Sequence, residues 1–386
     1  MKKLRDIVIY EDEQYYAAFP SIVQRDDGEL LLAFRRAPER RWHGGKCTHA
    51  DPNSQLVLVR STDGGETWTA EPELINAHAM GGSQDPCMTL LPDGTVLCAS
   101  YLWILQQPQS SEGKSYDETT WEFTFGGGYL ARSRDGGRSW RAPILPPPVP
   151  GSARRDALGR PVPAYNRGNI LVGSDGLLYW AVARADERRP GSGARSSVHL
   201  MVSADGGDSW EYRCPIAADA AIAFNETYLY ETERGDLVAF LRTGDPTGTV
   251  PAAVARSRDR GRSFEPWENA GFVGHPHCAA RLSDGRVLLA YGYRREPYGI
   301  RARVLDAECS APGGATEIVV RDDGGSGDVG YPWIATMPDG RALVVYYFNR
   351  KDDRRFAEAD PSQPGPLPSK GSGLRHIAGT WLEAGG

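Results

Sequence analysis

The 386-residue sequence predicts an all-β protein, with residues 1–386 forming a single six-bladed β-propeller with Asp-box turns. Three observations predict it. An eight-residue turn motif occurs four times, a shorter hairpin signal centred on a charged residue and Gly occurs six times, and 45 glycines and 28 prolines punctuate the chain. Turn residues that recur in this way favour many short strands over long helices.

The eight-residue motif, here called the box, follows a short apolar run each time. Its copies are Ser61–Trp68, Ser133–Trp140, Ser203–Trp210 and Ser257–Phe264. Asp and Gly favour turn conformations with positive φ, and Ser or Thr hydroxyls bond to turn amides. The closing aromatic residue can pack between neighbouring hairpins. Each box therefore predicts a tight turn in the second hairpin of a blade.

Six hairpins are predicted from an apolar run, a charged residue plus Gly, and a second apolar run. They lie near residues 21–36, 87–101, 169–184, 228–242, 278–293 and 334–348. Asp-Gly between apolar runs is the strongest short hairpin signal. Radial repetition of six such sheets predicts the propeller. Leu4–Tyr10 is expected to close the ring beside Ile377–Leu382, as the outer strand of the last blade.

Composition and charge narrow the function classes. The formal net charge of −6 disfavours a nucleic-acid partner. No apolar run is long enough for a signal peptide or a membrane span, so we expect a cytoplasmic protein with no membrane partner. The six cysteines form no C-x-x-C pair, which predicts reduced thiols and no zinc site. No metal or cofactor is expected, and the oligomeric state stays open.

The alternation of hairpin and box covers nearly the whole chain, and it resembles the Asp-box (BNR) repeats of the sialidase superfamily. The resemblance implies a propeller of that superfamily whose partner is a glycan or oligosaccharide. It does not by itself imply sialidase activity, because propellers with these boxes also include other glycosidases, lyases and non-catalytic binding proteins.

Function is expected at one mouth of the central channel, where the residues that precede the first strand of every blade converge. Polar or ionisable side chains recur at these positions. The candidates are Asp85, Asn166, Arg167, Glu226, His275, His277, Asp328 and Tyr331.

Two spacings resemble the sialidase pattern, in which a Glu and an Arg lie on one blade and a Tyr opens the last. Glu226 and Arg242 are sixteen residues apart on one hairpin, and Tyr331 opens the sixth. The resemblance implies that Tyr331 is the nucleophile and Glu226 its base. A phenol with a pKa of about 10 needs an adjacent carboxylate to remove its proton at neutral pH.

The general acid is expected to be a carboxylic acid on a loop. The resemblance implies Asp51, which precedes the box of blade one by ten residues, and Asp85 is the second choice. An ordinary Asp-Pro turn explains Asp51 equally well. Arg35 is expected either to orient the acid or to pair with Glu39.

The sialidase resemblance also implies three arginines that hold the substrate carboxylate, because bidentate guanidinium contacts are strong and planar. Arg242 matches the second, and Arg295 or Arg294 the third. Ala18 stands where the first is expected, and Arg167 is a possible substitute. His275 and His277 have no counterpart in this pattern and suit sugar hydroxyls or proton transfer.

Three hypotheses follow. The first is a sialidase-like retaining exo-glycosidase acting on a terminal anionic sugar through Tyr331, Glu226 and Asp51. The second is a polysaccharide lyase, or a hydrolase of another uronic-acid or neutral sugar, that uses His275 or His277 with a tyrosine. The third is a non-catalytic glycan-binding propeller. The long segments Gln106–Glu122 and Leu145–Pro163 are expected to set the substrate specificity.

Overall fold

In the computed structural model the chain forms six antiparallel sheets, one per blade. The structure describes residues 1–43, 49–79, 81–106, 122–141, 143–156, 159–186, 195–244, 250–352 and 373–383. Most of the predicted specificity segment 106–122 therefore lies outside the described residues. The described part contains no α-helix, and its two 3₁₀ turns are Arg40–His43 and Pro312–Gly314.

The strands of blades one to three, together with the N-terminal strand, are β1 (Lys2–Tyr10), β2 (Tyr15–Gln24), β3 (Leu30–Pro38), β4 (Gln55–Ser61), β5 (Glu73–Asn76), β6 (Gly81–Leu90), β7 (Val96–Gln106), β8 (Glu122–Ser133), β9 (Ile170–Val172), β10 (Leu178–Ala185), β11 (Ser196–Ser203) and β12 (Glu211–Ala217). Those of blades four to six are β13 (Phe224–Glu231), β14 (Leu237–Thr243), β15 (Ala253–Ser257), β16 (Glu268–Asn269), β17 (His277–Arg281), β18 (Val287–Tyr293), β19 (Gly299–Leu305), β20 (Glu317–Arg321), β21 (Gly330–Thr336), β22 (Arg341–Phe348) and β23 (His376–Glu383).

Among the described residues, five of the blades have four strands and blade two has three, β6 to β8. An isolated bridge between Leu130 and Ile144 marks the place of its outer strand. In blade six the order is β1-β23-β22-β21, so the N-terminal strand closes the ring on the outside as the sequence predicts. The described strands therefore form the predicted all-β, six-bladed architecture.

The four boxes share one hydrogen-bond pattern, which the first copy illustrates. Asp63 accepts a hydrogen bond from the Ser61 hydroxyl at 2.8 Å and another from the Thr67 amide at 2.9 Å. The Gly65 amide donates to the Ser61 hydroxyl at 2.8 Å, and Gly65 has a φ of 89°. The turn is thus held by its own side chains. It joins the third and fourth strand positions of the blade, away from the first strands.

The first strands β2, β6, β13 and β21 share an irregularity near their start. The register with the second strand shifts between Ala18 and Ser21, Gln84 and Cys87, Phe224 and Thr227, and Gly330 and Trp333. Phe19, Asp85 and Tyr331 lie in these bulges with positive φ values of 59°, 38° and 55°. Each of the three precedes a proline. Bulges of this kind re-aim a side chain and often lie next to active sites.

Candidate active site

The centre of the site is a contact between blades four and six. The Tyr331 hydroxyl donates a short hydrogen bond to Glu226 Oε1. Arg242 Nη1 lies 2.5 Å from Glu226 Oε2 and 3.4 Å from the Tyr331 hydroxyl. The bulges in β13 and β21 lie where Glu226 and Tyr331 meet. The structure thus brings together the three residues that the sialidase resemblance joins.

The charge state of this pair follows from its surroundings. Burial raises the pKa of Glu226, but the Arg242 charge and the Tyr331 hydrogen bond outweigh it, so the pKa falls below its ordinary value. Burial and the Glu226 charge raise the pKa of Tyr331 well above that of a free phenol. The resting pair is therefore a neutral phenol and an ionised carboxylate.

Two guanidinium groups flank the Tyr331 ring, each 5.3 Å from its centroid. Arg167 is buried and donates to the Pro20 carbonyl oxygen at 2.9 Å. Arg294 donates to the Val329 carbonyl oxygen at 3.2 Å. Cations in these positions stabilise the negative charge that a Tyr331 phenolate would carry, and the Arg294 charge acts to lower the pKa of Tyr331. The sequence predicts either Arg294 or Arg295, both on the β18–β19 connection, as the third arginine. Arg294 contacts Tyr331, and Arg295, the next residue in the chain, is half-buried.

Asp85 also faces this cluster, from the bulge in β6. Its side chain is buried, and its Oδ1 atom has no hydrogen-bond partner among the described residues. Burial raises the pKa of Asp85 to about 7; Arg167 opposes the rise and the Glu226 charge adds to it. A carboxyl group that keeps its proton near neutral pH beside an ionised one fits the division between acid and base.

Asp51 has a different environment. Arg40 holds its carboxylate with two hydrogen bonds, Nε to Oδ2 at 2.9 Å and Nη2 to Oδ1 at 3.1 Å. The Asn53 amide donates to the same Oδ1 at 2.8 Å. The described contacts of the Asp51 carboxylate are thus with its own loop. The role of Asp51 as the acid stays a prediction.

Arg35 lies directly opposite Ala18 in the pairing of β2 with β3. Its guanidinium is fully buried, 5.2 Å from the centroid of the Tyr16 ring, and its charge acts on Asp85. The neighbouring strand therefore brings a cation to the place where the sialidase pattern has an arginine and this chain has Ala18.

Three further predicted residues, Asn166, His277 and His275, have different environments. Asn166 is buried and donates to the Asn225 carbonyl oxygen at 3.0 Å, which ties blade three to the strand that carries Glu226. His277 is also buried, between the rings of Phe240, Phe272 and Tyr291, and burial lowers its pKa to about 4. His275 is half-buried, and its backbone amide donates to the Gly292 carbonyl oxygen.

A cluster around Asp328 extends the site in a way that the sequence interpretation missed. The Asp328 carboxylate accepts hydrogen bonds from the hydroxyls of Tyr16 and Tyr347 and from Arg375 Nε, at 3.0, 2.9 and 3.0 Å. His49 Nε2 lies 3.2 Å from Asp328 Oδ1. Burial raises the pKa of Asp328, but His49 and Arg375 outweigh it and hold the pKa far below its usual range.

The Phe19 ring connects this cluster to the nucleophile candidate. Its centroid is 5.1 Å from the His49 ring and 4.7 Å from the Tyr331 ring. His49 is half-exposed, so the ring is open to solvent above Phe19. In the sequence, the one local mark of this contact is Phe19 itself, which directly precedes Pro20 and has a positive φ.

A cavity of about 290 Å³ opens beside these groups, between blades two, three and four. Asp85 and Glu226 line its inner end. Part of the predicted specificity segment 145–163 lines its outer wall. The cavity is large enough for a small ligand, and its inner end reaches the candidate acid and base.

Two protein-family models match this chain. The model of the BNR repeat-like domain matches residues 116–344, and that of the BNR/Asp-box repeat matches residues 59–70. The first match covers more than half of the chain. The chain belongs to the BNR repeat-like domain family. No curated protein matches the sequence.

Several solved structures share the fold of this BNR repeat-like protein. A protein of unknown function from Dyadobacter fermentans is 46% identical over 100% of this chain and 99% of its own, with a TM-score of 0.87. The Hadza microbial sialidase Hz136 is 19% identical over 95% of this chain and 66% of its own, with a TM-score of 0.62. The NanB sialidase from Streptococcus pneumoniae is 15% identical over 99% and 70%, with a TM-score of 0.60. At these identities the two sialidases show the shared fold.

The part of this BNR repeat-like protein that the structure describes lacks two further kinds of feature. No group of three or more His, Cys, Asp or Glu side chains there could hold a metal ion. Among the same residues, no helix has the length and apolar character needed to cross a membrane.

Proposed function

We propose that this protein is a sialidase-like retaining exo-glycoside hydrolase that acts on a terminal anionic sugar. The observation that carries the proposal is the hydrogen-bonded set of Tyr331, Glu226 and Arg242 at the channel mouth. A tyrosine nucleophile activated by a carboxylate is a recognised variant of the two-carboxylate glycosidase scheme. It suits an anionic sugar, because a neutral phenol approaches it without the repulsion that a bare carboxylate would meet.

In the first step the Tyr331 oxygen forms a bond to the anomeric carbon as its proton passes to Glu226. The bond from that carbon to the leaving-group oxygen breaks, and a protonated acid supplies the proton that this oxygen needs. In the second step water attacks the anomeric carbon of the glycosyl-tyrosine, and the bond from that carbon to the Tyr331 oxygen breaks. The water proton passes to the acid residue, and Glu226 returns its proton to Tyr331.

Two carboxyl groups are candidates for the acid. Asp85 lines the cavity and has a pKa of about 7, so it holds its proton in slightly acidic solution. Asp51 is paired with Arg40, and this contact would have to open before Asp51 could donate a proton. We therefore favour Asp85, the second choice from the sequence, and retain Asp51 as the alternative.

The preference for an anion rests on the positive charge around Tyr331 and Asp85. Arg35, Arg167, Arg242 and Arg294 all act on one or both of these groups. Arg242 is paired with Glu226, whereas Arg167 and Arg294 form no ion pair with an acidic residue among the described residues. A bound carboxylate would compensate the remaining charge of this cluster.

The decisive experiment is a panel of aryl and natural glycosides, sialosides included, assayed with the wild type and with Tyr331→Phe. We expect turnover of an anionic glycoside by the wild type and its loss, by a factor of about 10³ or more, in the variant. Phe keeps the ring packing against Phe19, so thermal unfolding checks that the fold is retained. Near-normal activity of Tyr331→Phe would refute the assignment. A near-ultraviolet absorbance from an unsaturated product would point to the lyase, and binding without turnover to a non-catalytic propeller.

A further inference from the structure

The cavity beside Glu226 has an aromatic wall that the proposed chemistry does not use. Its rings are half-buried and pack against one another. Tyr101 lies 4.2 Å from Tyr165 and 5.4 Å from Phe125, between ring centroids, and Trp103 lies 5.6 Å from Phe125. All four line the cavity. Such a wall offers an apolar surface on which a sugar ring can pack, and the interlocked rings hold it in place.

Positive charge collects at the outer end of the same cavity. The Arg154 guanidinium lies 4.2 Å from the centroid of the Phe125 ring, and Arg195 lines the cavity nearby. Neither side chain forms an ion pair with an acidic residue in the described part of the chain. Arg184, by contrast, is paired with Asp186 at 2.7 Å. The guanidinium groups of Arg154 and Arg195 are thus available to an anionic ligand.

We propose that this cavity is a subsite for a uronic acid, which is the sugar on the leaving-group side of the glycosidic bond that is cleaved. The pyranose ring packs on the aromatic wall beside Arg154, and its carboxylate binds to Arg154, with Arg195 adding to the positive potential. A carboxylate is the natural partner because a guanidinium group can hold it with two parallel hydrogen bonds.

The position of the subsite on the leaving-group side rests on the proposed function. A general acid must lie within hydrogen-bond reach of the leaving-group oxygen. Asp85, our favoured acid, lines the inner end of this cavity. The sugar that carries the leaving-group oxygen therefore extends from Asp85 along the aromatic wall towards Arg154.

Binding can be measured apart from turnover. We would titrate D-glucuronate, and D-glucose as the neutral probe, into Tyr331→Phe protein by isothermal calorimetry. We expect glucuronate to bind and glucose to bind at least about tenfold more weakly, since a charge-assisted contact is lost. Arg154→Gln should weaken glucuronate by a similar factor. Arg138→Gln is the matched control, because Arg138 is exposed in a box turn, and it should bind glucuronate as the parent does.

Equal affinity for glucose and glucuronate would overturn the proposal, and so would unchanged glucuronate binding in Arg154→Gln or no binding at all. These outcomes do not depend on catalysis. If the glycoside panel shows no turnover while glucuronate binds through Arg154, the proposed hydrolase fails and the binding site stands. If turnover is seen and glucuronate does not bind, the hydrolase stands and the subsite fails.

Discussion

Tyr331 and Glu226 lie 105 residues apart in the sequence, yet the phenol of the first donates a hydrogen bond directly to the carboxylate of the second. The two come from blades six and four, and a bulge in each first strand brings them together. Arg242 touches both and keeps Glu226 ionised. A single substitution at Tyr331 or at Glu226 therefore tests the transfer of the phenolic proton between them.

Glu226→Gln tests the proton acceptor. Gln has nearly the same shape and can still accept a hydrogen bond from Tyr331, but it cannot take the proton. We expect kcat on a substrate found in the glycoside panel to fall by a factor of about 10²–10⁴. Steady-state kinetics measure the loss, and thermal unfolding checks the fold. A kcat within a few-fold of the wild type would contradict the role of Glu226 as the base.

Asp85→Asn and Asp51→Asn distinguish the two candidate acids. The true acid variant should lose most activity on a sugar leaving group and much less on a nitrophenyl group, which departs without protonation. If Asp85 is the acid, wild-type kcat/KM should fall as the pH rises through about 7, because the required proton is then lost. Asp85→Asn should lack this alkaline limb and Asp51→Asn should keep it. The reverse pattern would restore Asp51 as the acid.

Asp85 also has a consequence for stability. Its folded pKa of about 7 lies above the ordinary value of 3.8, so the folded state favours the protonated form. The contribution of protonated Asp85 to the free energy of unfolding is fully present below pH 4 and is lost as the pH rises to about 7. Asp85→Asn removes this loss. Its free energy of unfolding should exceed that of the wild type by a margin that widens over this range, to at most about 4 kcal/mol. Urea unfolding at pH 4 and pH 8 measures it, and a constant margin would contradict the pKa shift.

Much of this arrangement was predictable from local sequence patterns. The boxes and the Asp-Gly hairpins depend on turn chemistry within a few residues, and they set the positions of the first strands. The closure by β1 follows from an apolar strand left over at the N-terminus. Glu226 and Arg242 lie on the two strands of one hairpin, so their spacing in the sequence indicates that they are near each other.

Other side-chain contacts, both between blades and within one blade, were not predictable in this way. His49 and Asp328 are 279 residues apart, and no local pattern relates them. Asp51 pairs with Arg40 within one loop, which sequence spacing could not distinguish from an open carboxylate. Arg35 takes its place opposite Ala18 only through strand register. Which side chains meet in these cases depends on packing and on which of several charged groups form a pair.

Asp328→Asn and His49→Ala should show that Asp328 stabilises the fold, whereas His49 belongs to the open surface of the site. Asp328 pairs with Arg375, whose side chain is 1% exposed, so its substitution breaks a buried ion pair. We expect a loss of about 3–5 kcal/mol in the free energy of unfolding. His49 is half-exposed, and His49→Ala should cost less than about 1 kcal/mol. Chemical denaturation compares the two. Equal losses would show that His49 is part of the structural network rather than an open face of the site.

The box turns give a prediction that is independent of catalysis. Asp205 accepts hydrogen bonds from the Ser203 and Ser209 hydroxyls and from the Ser209 amide, so removing its charge weakens all three. Asp205→Asn should cost about 1 kcal/mol of stability at pH 7, where exposed Asp26→Asn should cost almost nothing. Burial raises the pKa of Asp205, but these hydrogen bonds outweigh it and lower the pKa from 3.8 to about 2. The stabilisation is therefore present above pH 3.8 and is lost as the pH falls towards 2. Thermal unfolding across this range should show the two variants converging, and a gap that stays constant would mean that the box does not act through the Asp205 charge.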